Sequence, residues 1–150
     1  MVLFIVVHTK INDMNKKRDD IELKDYPMAL KIDKISLDIN LYLDKTLDEG
    51  LEIHEVSFRD NGPMVISGHS GIGPNALFND LFYLDIRDKI ILVKDGYQYT
   101  YELFQITSFT KGSKIQINAS FDYLYLVTCD LFNMQKQWIF SSKIAKIDKI

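Results

Sequence analysis

At 150 residues the chain is sized for one domain that can bury a normal core without staples. Its 47% apolar and 12% aromatic content argues against disorder, and a net charge of −3 offers no basic stripe for phosphates, which argues against a nucleic-acid partner. The single cysteine, Cys129, excludes an internal disulfide, a zinc ribbon and a CxxC redox pair.

The chain opens on an apolar run, Met1 to Val7, far short of the roughly 20 residues of a spanning helix. It reads either as a short first strand or unstructured start, or as the end of a membrane anchor. A polar stretch from His8 to Asp20 follows, and Ile11 to Tyr26 is charge-dense with no clear apolar face, so helix and linker both stay open. Residues 1–27 are therefore set apart as an N-terminal segment, anchor remnant or linker, and 28–150 as the folded domain. Asp13, Asp19, Asp20 and Glu22 lack the regular spacing of a calcium loop, so a solvated acidic segment is the better reading and no metal site is expected.

From Met28 the pattern is β. Leu37 to Leu43 alternates apolar and polar throughout, as a half-buried strand does. Thr46 with Glu49 forms a capping box for a short helix that Gly50 can end. Ile53 to Phe58 reads as extended, Asp60-Asn61-Gly62-Pro63 as a turn, and Met64 to Ser67 as a short buried strand. Leu77, Phe78, Leu81 and Leu84 suggest a short amphipathic helix over 76–84. Lys89 to Lys94 and Tyr97 to Ile106 form a hairpin at Asp95-Gly96. Lys114 to Ile117, Tyr123 to Cys129 and Gln137 to Lys143 complete the strands. Seven or eight strands with little helix predict an all-β barrel or sandwich.

Two of these strands end on reactive side chains. Val65-Ile66-Ser67-Gly68-His69 delivers an imidazole, and Leu124 to Cys129 delivers the thiol. Alone, each has a bland reading: a structural histidine beside a loop, a small buried hydrophobe. Together they offer a strong nucleophile as thiolate and a proton carrier near neutral pH, the two parts that acyl transfer needs.

The same residues carry a family resemblance. Ile66-Ser67-Gly68-His69, Asn75 to Leu81, Asp88-Lys89-Ile90 and Leu126-Val127-Thr128-Cys129-Asp130 occur in the order and spacing of the sortases, cysteine transpeptidases of Gram-positive cell surfaces. The likeness runs from about Leu30 to the C-terminus. It implies an eight-stranded sortase-like β-barrel with short helical insertions, and no cofactor. It implies cleavage of an LPxTG-type sorting signal and transfer of the acyl group to an amine, a cell-wall precursor or a pilin lysine, at the extracellular face of the membrane. Cys129 would form the thioacyl enzyme, His69 would move the protons, and Thr128 would line the site. His54 resembles a second histidine near the site in many sortases, against an equally good reading as a half-exposed strand histidine.

The chain departs from the family at a third residue, the arginine that opens the strand after the cysteine. Here no arginine follows Arg87; Gln137 is the best match and Trp138 the next, and neither replaces a guanidinium fork. Lys136 or Lys143 can supply a positive charge from nearby, Arg59 or Arg87 from elsewhere in the fold, or the domain is weakly active or inactive. The segment Thr107 to Ser120 carries no carboxylate, so no calcium requirement is expected. A general cysteine hydrolase and a non-cutting peptide-binding barrel are the alternatives.

Overall fold

The computed structural model describes residues 2–6 and 28–150. The expectations placed on residues 7–27, including the acidic cluster and the helix or linker, lie outside the described residues. Among the described residues ten strands form: β1 (Val2–Ile5), β2 (Met28–Ile32), β3 (Leu37–Leu41), β4 (Glu52–Ile53), β5 (Met64–Ser67), β6 (Lys89–Lys94), β7 (Tyr97–Thr110), β8 (Ile115–Asn118), β9 (Tyr123–Cys129) and β10 (Lys136–Lys149). Eight of them make one sheet in the order β3-β2-β6-β7-β10-β9-β5-β4, which curls into a half-barrel, and β1 pairs with β8 as a separate two-stranded sheet. The all-β, eight-stranded expectation describes this architecture.

Neighbours in the large sheet are antiparallel except β5 and β9, which run parallel with Ser67 opposite Val127. That exception positions the site. Two parallel strands finish at the same end of a sheet, so the segment after Ser67 and the last residues of β9 lie at one end of the half-barrel. Parallel strands are usually buried on both faces, and every residue of β5 is buried here.

Alternation along β9 and β10 divides the core. Leu124, Leu126 and Phe140 face the main cluster with Leu30, Ile66, Phe78 and Leu92. Tyr125, Val127 and Ile139 face the opposite way, into a second cluster with Val65 and Ile117, which Ile5 and Leu3 of β1 help to cover. The apolar run at the N-terminus is thus a short strand laid over this second face.

The segment read as a helix over 76–84 is instead loop plus one 3₁₀ stretch, Asn79–Tyr83. Its buried residues, Phe78, Leu81 and Leu84, recur every three positions, the 3₁₀ period. Asn79 also holds both the N–H and the C=O of Gly71 with its side-chain amide, at 2.6 and 2.8 Å, which ties the segment to the preceding loop rather than to a helical ladder. Of the Thr46–Glu49 capping box only the Glu49 half forms, the Thr46 N–H and hydroxyl both donating to Glu49 Oε1 while the Glu49 N–H bonds the Thr46 carbonyl, and a single turn stands in place of the expected helix. Glu55–Phe58, read as extended, is likewise 3₁₀.

Candidate active site

The ends of β5 and β9 are laced together beyond the last sheet pair. Gly68 N–H donates to the Val127 carbonyl at 3.0 Å, Thr128 Oγ1 donates to the Gly68 carbonyl at 2.8 Å, and Ser70 Oγ donates to the Cys129 carbonyl. Residues about sixty positions apart in sequence are thereby fixed side by side, Gly68 with Val127 and Thr128, and Ser70 with Cys129.

Gly68 is required by space. A Cβ there would lie 2.6 Å from Phe78 Cδ2 and 2.7 Å from Leu51 Cδ2, both on buried side chains. Phe78 N–H also bonds the His69 carbonyl at 3.0 Å, so pushing Phe78 aside moves the histidine. Gly68→Ala is expected to cost about 1–3 kcal/mol, the usual cost of overpacking. It should lower peptide turnover beyond what the stability loss explains. Urea unfolding beside initial rates checks both.

Cys129 as a residue is 8% exposed, on the same face of β9 as Tyr125 and Val127 of the second core cluster. Directly across the β9–β10 pair sits Gln137. Its Nε2 approaches Cys129 Sγ at 3.9 Å, and its Oε1 is buried without a hydrogen-bond partner among the described residues. A buried acceptor left in that state costs roughly 1–3 kcal/mol, so it marks a place where a polar group from elsewhere would be welcome.

His69 is 34% exposed, and its Nε2 lies 2.9 Å from Asp48 Oδ1, on the turn before β4. Asn75 Nδ2 donates to the Asp48 carbonyl at 2.6 Å, bracing that turn against the loop after His69. Neither Asp48 nor Ser70 stands out in the sequence. Asp48 is one acidic residue among many, 21 positions from its partner, and Ser70 carries no signal beyond following His69.

The other sequence-derived candidates fall differently. Thr128 is 2% exposed and its hydroxyl is committed to Gly68, so it clamps the two strands rather than facing a ligand. Trp138, opposite Thr128, turns to the main-core side. Its ring meets Phe82 edge-on at 6.2 Å and its Nε1 donates to Asp130 Oδ2 at 2.7 Å. His54 does not line this end. Its backbone N–H bonds Val65, two residues back from Ser67, its Nδ1 accepts from Val56 N–H at 3.1 Å, and its Nε2 meets the Val6 carbonyl at 3.2 Å. Those contacts cap the 3₁₀ stretch after β4 and tether the end of β1, because a histidine in extended geometry before Glu55 is an N-cap.

The cations sort by position. Lys143 lies over the Tyr123 ring, six residues along β10 from Gln137, or roughly 20 Å at strand rise. Arg59 precedes the far end of β5, and the backbone of Arg87 is bonded to Leu103. Lys136 is the cation beside the thiol's end of the sheet, 4.7 Å over the Trp138 ring.

Asp130 organises the β9–β10 loop. Its Oδ1 accepts from the N–H groups of Phe132 and Asn133, at 2.9 and 3.0 Å. The Trp138 indole bond, then the Phe132 bond, hold its carboxyl below the usual aspartate range. A depressed native pKa gives stability that is present above the ordinary aspartate value and lost as pH falls through the lowered one. Trp138 emission should therefore change in a step below the usual aspartate range, and Asp130→Asn should abolish that step. An acid titration followed by fluorescence reads it, Trp138 being the sole tryptophan.

A family model described as "Sortase domain" matches residues 30–145. Among solved structures, the chain is similar to sortase C-1 from Streptococcus pneumoniae, with a TM-score of 0.68 and 20% identity over 79% of this chain and 66% of that one. It is similar to sortase A from Listeria monocytogenes, with a TM-score of 0.67 and 17% identity over 82% of this chain and 89% of that one. It is also similar to sortase A from Corynebacterium diphtheriae, with a TM-score of 0.66 and 20% identity over 81% of this chain and 61% of that one. At these identities the likeness is one of fold, and the chain spans just under two thirds of the pneumococcal chain's length. No curated protein matches the chain by sequence.

Proposed function

The chain belongs to the sortase family, and from that premise we propose that residues 28–150 form a cysteine transpeptidase domain acting on sorting-signal peptides of the LPxTG type. The observation that supports the reading is the lacing of the β5 and β9 ends, where Gly68 and Ser70, the residues on either side of His69, are bonded to Val127, Thr128 and Cys129 at one end of the half-barrel.

In the acylation step the Cys129 thiolate attacks the scissile carbonyl, a C–S bond forms, and the C–N bond breaks as His69 gives its proton to the leaving amine. In the second step an incoming amine attacks the thioester. Its proton passes to His69, a new C–N bond forms and the C–S bond breaks, returning the thiolate. Gln137 stands where the family arginine would act, with a neutral N–H aimed at the sulfur. It serves as a donor to the oxyanion. Thr128 serves by clamping the strands, and Trp138 by fixing the loop after the cysteine. The acceptor is an amine of a cell-wall precursor or a pilin lysine, at the outer face of the membrane.

Incubating the protein with a labelled sorting peptide, with and without an amine, tests this. A mass adduct on Cys129 that an amine discharges faster than water supports it. An adduct discharged equally by water alone makes the protein a hydrolase. A second reading, a barrel that grips the peptide without cutting it, draws support from the 8% exposure of Cys129 and the neutral Gln137. Peptide binding that survives Cys129→Ala, with no adduct on the parent protein, would establish it.

A further inference from the structure

The imidazole of His69 is held from one side only. Nε2 is 2.9 Å from Asp48 Oδ1, while Nδ1 has no hydrogen-bond partner among the described residues. A carboxylate accepts hydrogen bonds and does not donate them, so this contact requires the proton on Nε2. Asp48 is itself held: Asn75 bonds its carbonyl, and Thr46 and Glu49 close the turn it sits on. The turn before β4 and the loop after β5 thus meet through two contacts, one side chain to side chain and one side chain to backbone.

We infer that Asp48 is a positioning residue that fixes the His69 ring with its Nε2–H toward the carboxylate, leaving Nδ1 as the nitrogen that exchanges protons with the leaving and entering amines. The inference rests on His69 being the proton carrier. Which ring nitrogen carries the proton is set by the bond the other one makes, and holding the wrong tautomer is costly in enzymes that depend on it. The pair is open to solvent, with Asp48 74% exposed, so its contribution is orientation more than charge. Nothing in the mechanism above needs Asp48 to touch substrate.

The test uses the full chain labelled with ¹⁵N at histidine side chains, with His69→Gln to assign the signal, at a pH where the ring is neutral. The parent and Asp48→Asn should show His69 as one Nε2–H tautomer, since an amide oxygen can still accept. Asp48→Ala should show a mixture of both tautomers. In turnover, Asp48→Ala should lower kcat on the order of tenfold with KM held within about twofold, a part of the 10²–10⁴ that a positioned proton carrier supplies. Asp48→Asn should lose less. A parent His69 protonated on Nδ1, a tautomer that Asp48→Ala leaves unchanged, or an unchanged kcat in that variant overturns the inference. A parent that forms no adduct overturns the transpeptidase reading instead, and the spectrum alone then decides whether Asp48 fixes the ring.

Discussion

Cys129→Ser should leave the fold intact and reduce peptide cleavage by roughly 10⁴-fold or more, the scale of loss when a covalent nucleophile is removed. Serine is close in volume, and its hydroxyl lies beyond hydrogen-bond distance of the Gln137 amide, so the stability cost should be about 1–3 kcal/mol. The chemical loss is large because a hydroxyl at this site has no base built for it. A serine nucleophile needs an imidazole hydrogen-bonded to its oxygen, whereas here no hydrogen bond joins His69 to Cys129 among the described residues. A thiol ionises within reach of neutral pH and attacks as thiolate without that contact. Intact-protein mass after incubation with a sorting peptide, alongside thermal unfolding, separates the two effects. A serine variant that turns over at more than a few per cent of the parent rate would show that the imidazole activates the nucleophile directly.

The parts of the site that were legible in the sequence are those where a local pattern determines geometry. An alternating or continuous apolar run leading to Thr-Cys or Gly-His reads as a strand that brings its reactive side chain to a sheet end: β9 ends on Cys129, still paired with Gln137, and β5 ends on Ser67, two residues before His69. Asp95-Gly96 was readable as a hairpin because both residues take positive φ, 52° and 81°, which only such a pair adopts cheaply. In the Asp60–Pro63 turn, positive φ falls on Asn61 at 55°, while Gly62 is needed for the close approach of Val56 and Arg59.

What stayed hidden depends on partners distant in sequence. Capping chemistry at Thr46 looks the same whether one turn or three follow; buried Leu51 and Ile53 draw the chain into β4 and end it after one. His54 sits in a segment like that of a family histidine, yet its ring is taken up by Val56 and Val6, and the second of these contacts exists only because β1 lies on β8. No periodicity marks that pairing. β7 and β10 run 14 residues each, longer than their apolar alternation, because they pair with each other almost end to end and the polar tail of β10 is held by the ladder rather than by burial. The Asp48–His69 contact is of the same kind, since an exposed loop aspartate carries no signal until the fold brings it to its partner.

Gln137→Glu should cost on the order of 10²–10³ in the rate of thioacyl formation, the loss typical of removing one oxyanion donor. The change keeps shape and volume, so packing at this 3% exposed position is not the cause. It replaces the one N–H that faces Cys129 Sγ by an acceptor oxygen, and it sets a carboxylate opposite the thiol across the β9–β10 pair. Both consequences run the same way. A thiolate beside a carboxylate is disfavoured, so alkylation of Cys129 by iodoacetamide should need higher pH than in the parent. The oxyanion formed on attack loses its donor and gains a repulsive neighbour. Gln137→Ala should lose the donor without adding the charge, giving a comparable fall in acylation with little change in the pH dependence of alkylation. It should also remove the buried, unpartnered Oε1, which offsets part of the packing loss. Single-turnover acylation and the pH profile of alkylation across the three proteins separate donor from charge. Rates within about threefold of the parent in both variants would place oxyanion stabilisation elsewhere.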